Sequence, residues 1–93
     1  MYKAVIAGYS RSPFTTARKG ELIDIKPVNL LAEVINNLVS KSKVNRNSIE
    51  DIVIGCAFQV GEQCFNIGKL VTFLTGMNIK TSGMTVDRWC GSS

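Results

Sequence analysis

Met84-Thr85-Val86-Asp87-Arg88-Trp89-Cys90-Gly91-Ser92-Ser93 is the stretch that decides how this 93-residue chain is read. A β-branched, apolar run leads into a cysteine, and small residues follow it. The run predicts a strand over residues 84–88, with Cys90 at its carboxyl end. A cysteine placed there becomes a nucleophile when a helix N-terminus or a nearby cation stabilises its thiolate. Gly91, Ser92 and Ser93 let a substrate approach the backbone and suit the opening of a helix. The N–H groups of such a helix would point at the sulfur and at any oxyanion formed beside it. Trp89 is expected to pack in the core.

Working back from this stretch, Phe65, Ile67, Leu70, Val71, Phe73 and Leu74 give a helical pattern. Gly76 is its stop signal. Residues 52–57, with Ile52, Val53, Ile54, Gly55, Cys56 and Ala57, read as a buried strand, and Gly61 bends the loop after it. Further back is the strongest periodic segment of the chain. Pro27 is placed as a first helical residue. Val28, Leu31, Val34, Ile35, Leu38 and Val39 follow at three- and four-residue spacing, with Leu30 widening the stripe. Lys41 and Lys43 suit the end of that helix. Ser48 and Asp51 make a weak capping box for one turn. The opening residues 2–7 read as another strand, because Ala4-Val5-Ile6-Ala7 is continuously apolar. A polar loop then runs from Arg11 to about Lys26, and loops of that length are often functional.

The predicted order is strand, helix, strand, helix, strand. That order argues for an α/β fold, β-α-β-α-β, with a largely parallel sheet and a single domain over residues 1–93. Ligands of such sheets gather at the carboxyl ends of the strands, where Cys90 lies.

Composition narrows the function. Apolar residues make up 45 % of the chain and charged residues 19 %, which is globular rather than disordered. The high apolar share implies that part of the surface packs against something outside the chain. Eleven basic and seven acidic side chains leave a net charge of +4. The basic residues are scattered, so no nucleic-acid patch is expected, although an anionic, phosphate-bearing substrate remains compatible. Three cysteines without a CxxC pair, and no histidine, exclude standard zinc spacings. They also argue against a disulfide framework and for a reducing, cytoplasmic compartment. No segment has the length of a membrane span or of a signal sequence. Cys56 and Cys64 are expected simply to pack, as most free cysteines do.

In order along the chain, several segments resemble the amino-terminal part of the thiolases. Arg11-Ser12-Pro13-Phe14 after the opening strand is similar to that family's Arg-Thr-Pro. The segment from Ile52 to Gln59 resembles its second strand with Gly-Cys and a following Gln. Gly61-Glu62-Gln63 and Phe65-Asn66-Ile67-Gly68-Lys69 look like the start of its second helix. Thr85-Val86-Asp87-Arg88-Trp89-Cys90-Gly91-Ser92-Ser93 closely resembles its nucleophile motif. Two departures stand out: Asp87 replaces the usual Asn, and Gly68-Lys69 replaces the common Ala-Arg. A carboxylate close to the Cys90 sulfur would raise the thiol pKa unless a cation such as Arg88 paired with it.

The resemblance implies a partial thiolase-like layered domain in which Cys90 is the catalytic nucleophile. It would take an acyl group from 3-ketoacyl-CoA, release acetyl-CoA and pass the acyl group to a second CoA. CoA and acyl-CoA are then substrates, with no covalently bound cofactor and no metal. The backbone N–H of Cys90 would help hold the thioester oxygen. Gly91-Ser92-Ser93 leans towards the fatty-acid-oxidising branch. The family's homodimers or homotetramers make residues 84–88 a candidate interface strand. The family also needs a histidine and a second cysteine that this chain does not supply. The expectation is therefore an amino-terminal fragment, ending just after the nucleophile and inactive by itself. Two alternatives stay open: a fragment of a 3-ketoacyl synthase-type condensing enzyme, and a non-catalytic α/β interaction module.

Overall fold

Pro27 opens the first helix, α1, Pro27–Ser42, in a computed structural model that describes residues 2–93. Lys26 before it is extended (φ −67°, ψ 135°), the conformation that a following proline enforces. The helix stops where Lys43 turns left-handed at φ 55°. The expected stripe is real. Val28, Leu31 and Ile35 pack with Ala32 on the core, and Glu33 and Asn37 face solvent. A single 3-10 turn follows at Arg46–Ser48. The expected Ser48–Asp51 box does not head this turn. Asn45 does, its side chain accepting the Asn47 N–H at 2.9 Å, and the Ser48 hydroxyl closes the turn on the Asn45 carbonyl at 2.6 Å. Asp51 has by then entered a strand, where its carboxylate accepts the Ser82 hydroxyl at 2.9 Å.

That strand is β1, Asp51–Gly55. It pairs in parallel with β2, Ser82–Val86, with Ile52 opposite Gly83, Val53 opposite Met84 and Gly55 opposite Val86. Parallel neighbours require a crossover, and α2, Ile67–Leu74, supplies it. The β-α-β unit is closed by contact between backbones. A methyl group added at Gly68 of α2 would overlap the Met84 carbonyl, and one added at Gly83 would overlap the Gly68 carbonyl. Helix and strand can approach this closely only because neither position carries a side chain. The departure from the common Ala at position 68 thus has a local cause.

Ala32, Ile52 and Val71 form the core, with Ile49, Ile54 and Met77 packed around them. Only one face of the sheet is covered. Ile52 is buried beneath the helices, whereas Val53 and its partner Met84 are 53 % and 46 % exposed. Residues 52–57 read as a buried strand, whereas cover for this second face is not among the described residues. One polar tie links the two helices: Arg46 donates from Nη1 to the Thr75 carbonyl at 2.6 Å and to Asn36 Oδ1 at 2.8 Å.

The α/β architecture and the parallel sheet agree with the sequence reading, but the opening strand does not form. Residues 2–16 carry no regular structure, and Val5 and Ile6 are 80 % and 97 % exposed. A strand exists only where a neighbouring ladder satisfies its backbone groups. This segment instead runs beside α1, with Gly8 near Leu38 and Ser42 and the Ser10 hydroxyl on Asn37 Oδ1 at 3.0 Å. The order within the described residues is therefore α1-β1-α2-β2. No helix among them is long and apolar enough to cross a membrane.

Candidate functional site

Because β1 and β2 run in parallel, their carboxyl ends lie side by side, and the chain leaving each end carries a cysteine. Cys56 extends the ladder by one step, its N–H donating to the Val86 carbonyl at 2.9 Å. Its thiol is buried and donates to the Phe58 carbonyl at 3.3 Å. Cys64 ends a separate 3-10 turn, Gly61–Gln63, with its thiol donating to the Gly61 carbonyl at 2.8 Å. Cys56 therefore packs, as expected, while Cys64 is half-buried. Cys90 differs from them in being exposed.

Cys90 occupies the middle of a single 3-10 turn, Trp89–Gly91, just past the end of β2. The chain does not open an α-helix directly after the strand. Trp89 takes φ 51°, a left-handed conformation uncommon for a bulky side chain. That backbone reversal swings the indole outward, so Trp89 is 77 % exposed instead of packed in the core.

Short polar contacts hold the reversal. Asp87 Oδ1 accepts the Trp89 N–H at 2.8 Å, an Asx-turn in which a side chain replaces a backbone acceptor. Ser92 Oγ accepts the Arg88 N–H at 2.8 Å. The single hydroxyl proton of Ser92 has the Trp89 carbonyl at 2.8 Å and Asp87 Oδ1 at 3.3 Å to choose from. The N–H groups of Gly91 and Ser92 donate to the carbonyls of Arg88 and Trp89, at 2.9 and 3.2 Å. Arg88, Trp89, Gly91 and Ser92 thus all have their N–H groups engaged. Among the described residues, the Cys90 N–H is the one in this run with no acceptor inside the turn.

The turn rests on the end of β1. A methyl group at Gly55 would overlap the Ser92 carbonyl, so only glycine there lets the turn sit against the strand. Beside this junction is an apolar cavity of about 360 Å³. It is walled by Leu30, Leu31 and Val34 of α1, by Ile54 and Gly55 of β1, by Cys56 just after it, and by Ile67.

Sequence reasoning located Cys90 and the strand that carries it. It assigned Asp87 only a possible electrostatic effect on the sulfur and overlooked the Asp87–Ser92 clasp. The signal was present: an Asp two residues before an N–H that must be satisfied is the ordinary Asx-turn pattern. Nothing comparable flags Gly55, because its contact depends on how two distant segments meet.

Residues 4–93 match the family described as "Thiolase, N-terminal domain". The 3-ketoacyl-CoA thiolase of Acinetobacter baumannii (strain AYE) is 35 % identical over 89 residues, covering 96 % of this chain and 23 % of that protein. The 3-ketoacyl-CoA thiolase of Marinomonas sp. (strain MWYL1) is 34 % identical over 90 residues, with the same coverage. The chain thus spans about a quarter, 23 %, of the length of these relatives. Among solved structures, the Acat5 thiolase from Ascaris suum, in complex with coenzyme A, superposes with a TM-score of 0.74. It is 20 % identical and covers 81 % of this chain and 19 % of the other, a likeness of fold.

Proposed function

The chain belongs to the thiolase family through its amino-terminal domain, and from that premise we propose that Cys90 is the acyl-accepting nucleophile of a 3-ketoacyl-CoA thiolase. The observation that carries this reading is the placement of Cys90. It is an exposed thiol on a clasped turn at the carboxyl end of a parallel strand, with an unengaged N–H of its own. Cys56 and Cys64 have their thiols turned into local carbonyls.

The Cys90 sulfur attacks the 3-keto carbon of a 3-ketoacyl-CoA. The bond between C2 and C3 breaks, its electron pair stays on C2, and protonation there gives acetyl-CoA. The acyl group remains as a thioester on Cys90. The sulfur of a second CoA then attacks the thioester carbon, and the proton of its thiol returns to Cys90. The reverse sequence is a condensation. The Cys90 N–H, which has no acceptor among the described residues, would donate to the thioester oxygen, where charge develops. The chain contains no histidine, so a histidine that takes the thiol proton comes from outside these 93 residues.

CoA and acyl-CoA are the proposed substrates, supported by the names of the relatives and by the coenzyme A complex of the Ascaris thiolase. The uncovered Val53–Met84 face supports self-association, with β2 as the candidate interface strand. Three free thiols suit a reducing compartment such as the cytoplasm or an organelle interior.

The test is a chimera in which this chain replaces the corresponding amino-terminal residues of a 3-ketoacyl-CoA thiolase. The chimera is expected to cleave acetoacetyl-CoA, its Cys64→Ala variant to retain the activity, and its Cys90→Ala variant to fall to background. Thiolysis that survives Cys90→Ala would refute the assignment and favour a non-catalytic role for this segment. The chain by itself is expected to give background turnover.

A further inference from the structure

We propose that Asp87 and Ser92 are positioning residues for Cys90, fixing the direction in which its thiol and its N–H are presented. The inference rests on the reading of Cys90 as the nucleophile. A bulky residue rarely holds φ 51° unless its surroundings over-determine it, and Trp89 does so one residue before the reactive position. What over-determines it is the pair Asp87 and Ser92. Asp87 Oδ1 takes the Trp89 N–H at 2.8 Å, and Ser92 Oγ takes the Arg88 N–H at 2.8 Å while facing both Asp87 Oδ1 and the Trp89 carbonyl. Two side chains, one on each side of Cys90, therefore tie the strand end to the far side of the turn.

These bonds take the Arg88 and Trp89 N–H groups before Cys90, the carbonyls of Arg88 and Trp89 take those of Gly91 and Ser92 after it, and the Cys90 N–H has no acceptor among the described residues. The carboxylate at position 87 thus acts through backbone geometry, with its oxygen committed to the Trp89 amide. An asparagine there would offer the same acceptor through its side-chain carbonyl.

The experiment compares Asp87→Ala, Asp87→Asn and Ser92→Ala in this chain by two readouts. One is amide hydrogen exchange at Trp89 and Arg88, with the Cys56 N–H, bonded to Val86, as the control that the sheet is intact. The other is the iodoacetamide rate at Cys90 in the folded chain divided by its rate in urea. Asp87→Ala is expected to speed Trp89 exchange roughly fivefold or more, the factor for loss of one hydrogen bond. It is also expected to lower the Cys90 rate ratio. Asp87→Asn is expected to restore protection at Trp89 and a Cys90 ratio above that of Asp87→Ala. Ser92→Ala is expected to expose the Arg88 amide to exchange. The proposal is overturned if Asp87→Ala matches the unsubstituted chain, or if Asp87→Asn behaves like Asp87→Ala, since charge rather than the hydrogen bond would then be acting. If the unsubstituted chain shows no excess reactivity at Cys90, the turn does not by itself prepare the thiol and the positioning claim fails, while the chimera decides the nucleophile reading. A Trp89 amide still released by Asp87→Ala would then mark the clasp as real but without a positioning role.

Discussion

At the scale of single residues, a glycine inside a helix decides what the sequence could not announce. Gly68 lies where α2 meets β2 backbone to backbone, and its replacement by alanine drives a methyl group into the Met84 carbonyl. Gly68→Ala is expected to cost about 3 kcal/mol, the upper part of the usual overpacking range, read as a lower urea midpoint with an unchanged slope. Gly76 provides the contrast. It takes φ 63° in open space, so Gly76→Ala is expected to cost only about 1 kcal/mol, the left-handed penalty alone. Equal losses at the two positions would show that the α2–β2 contact is looser than described. Cys90 was legible because a strand end followed by small residues is a local pattern. The outward Trp89 was not, since a large apolar side chain normally reads as core and only the sign of its φ turns it to solvent.

Among the secondary-structure elements, α1 was the easiest to read and the opening strand the hardest. The α1 stripe depends on spacing within one segment, which the sequence displays directly. The opening run Ala4 to Ala7 has strand chemistry but no ladder beside it among the described residues, and pairing is a property of two segments. The packing of α1 on α2 has a specific fastener in Arg46, which reaches the Thr75 carbonyl just past the end of α2 and the Asn36 side chain of α1. A cation there also meets the negative end of the α2 dipole. Arg46→Ala is expected to cost about 2 kcal/mol, as for loss of hydrogen bonds from a charged donor, measured by urea unfolding. A change within error would mean that water replaces the guanidinium without loss.

For the molecule as a whole, the small core stands beside a large apolar surface. The fully buried side chain of Val71 sits at the centre of that core, while Val53, Met84, Val5, Ile6 and Phe65 remain exposed. Val53 and Met84 are opposite each other on one sheet face, so together they form an adhesive strip. Sedimentation is expected to show concentration-dependent self-association, reduced by the double substitution Val53→Lys, Met84→Lys. A monomer at every concentration would contradict this. The fold also bears on reactivity. Cys90 is exposed, Cys64 half-buried and Cys56 buried, so a plain labelling order would follow from exposure alone. The decisive quantity is what folding does to each thiol. The measurement is the iodoacetamide rate at each cysteine, mapped by mass spectrometry, in the folded chain and again in urea at the same pH. If Cys90 is a nucleophile prepared by its turn, it reacts faster folded than unfolded, while Cys56 and Cys64 react more slowly. A folded Cys90 that reacts no faster than in urea would contradict the claim that its turn prepares the thiol.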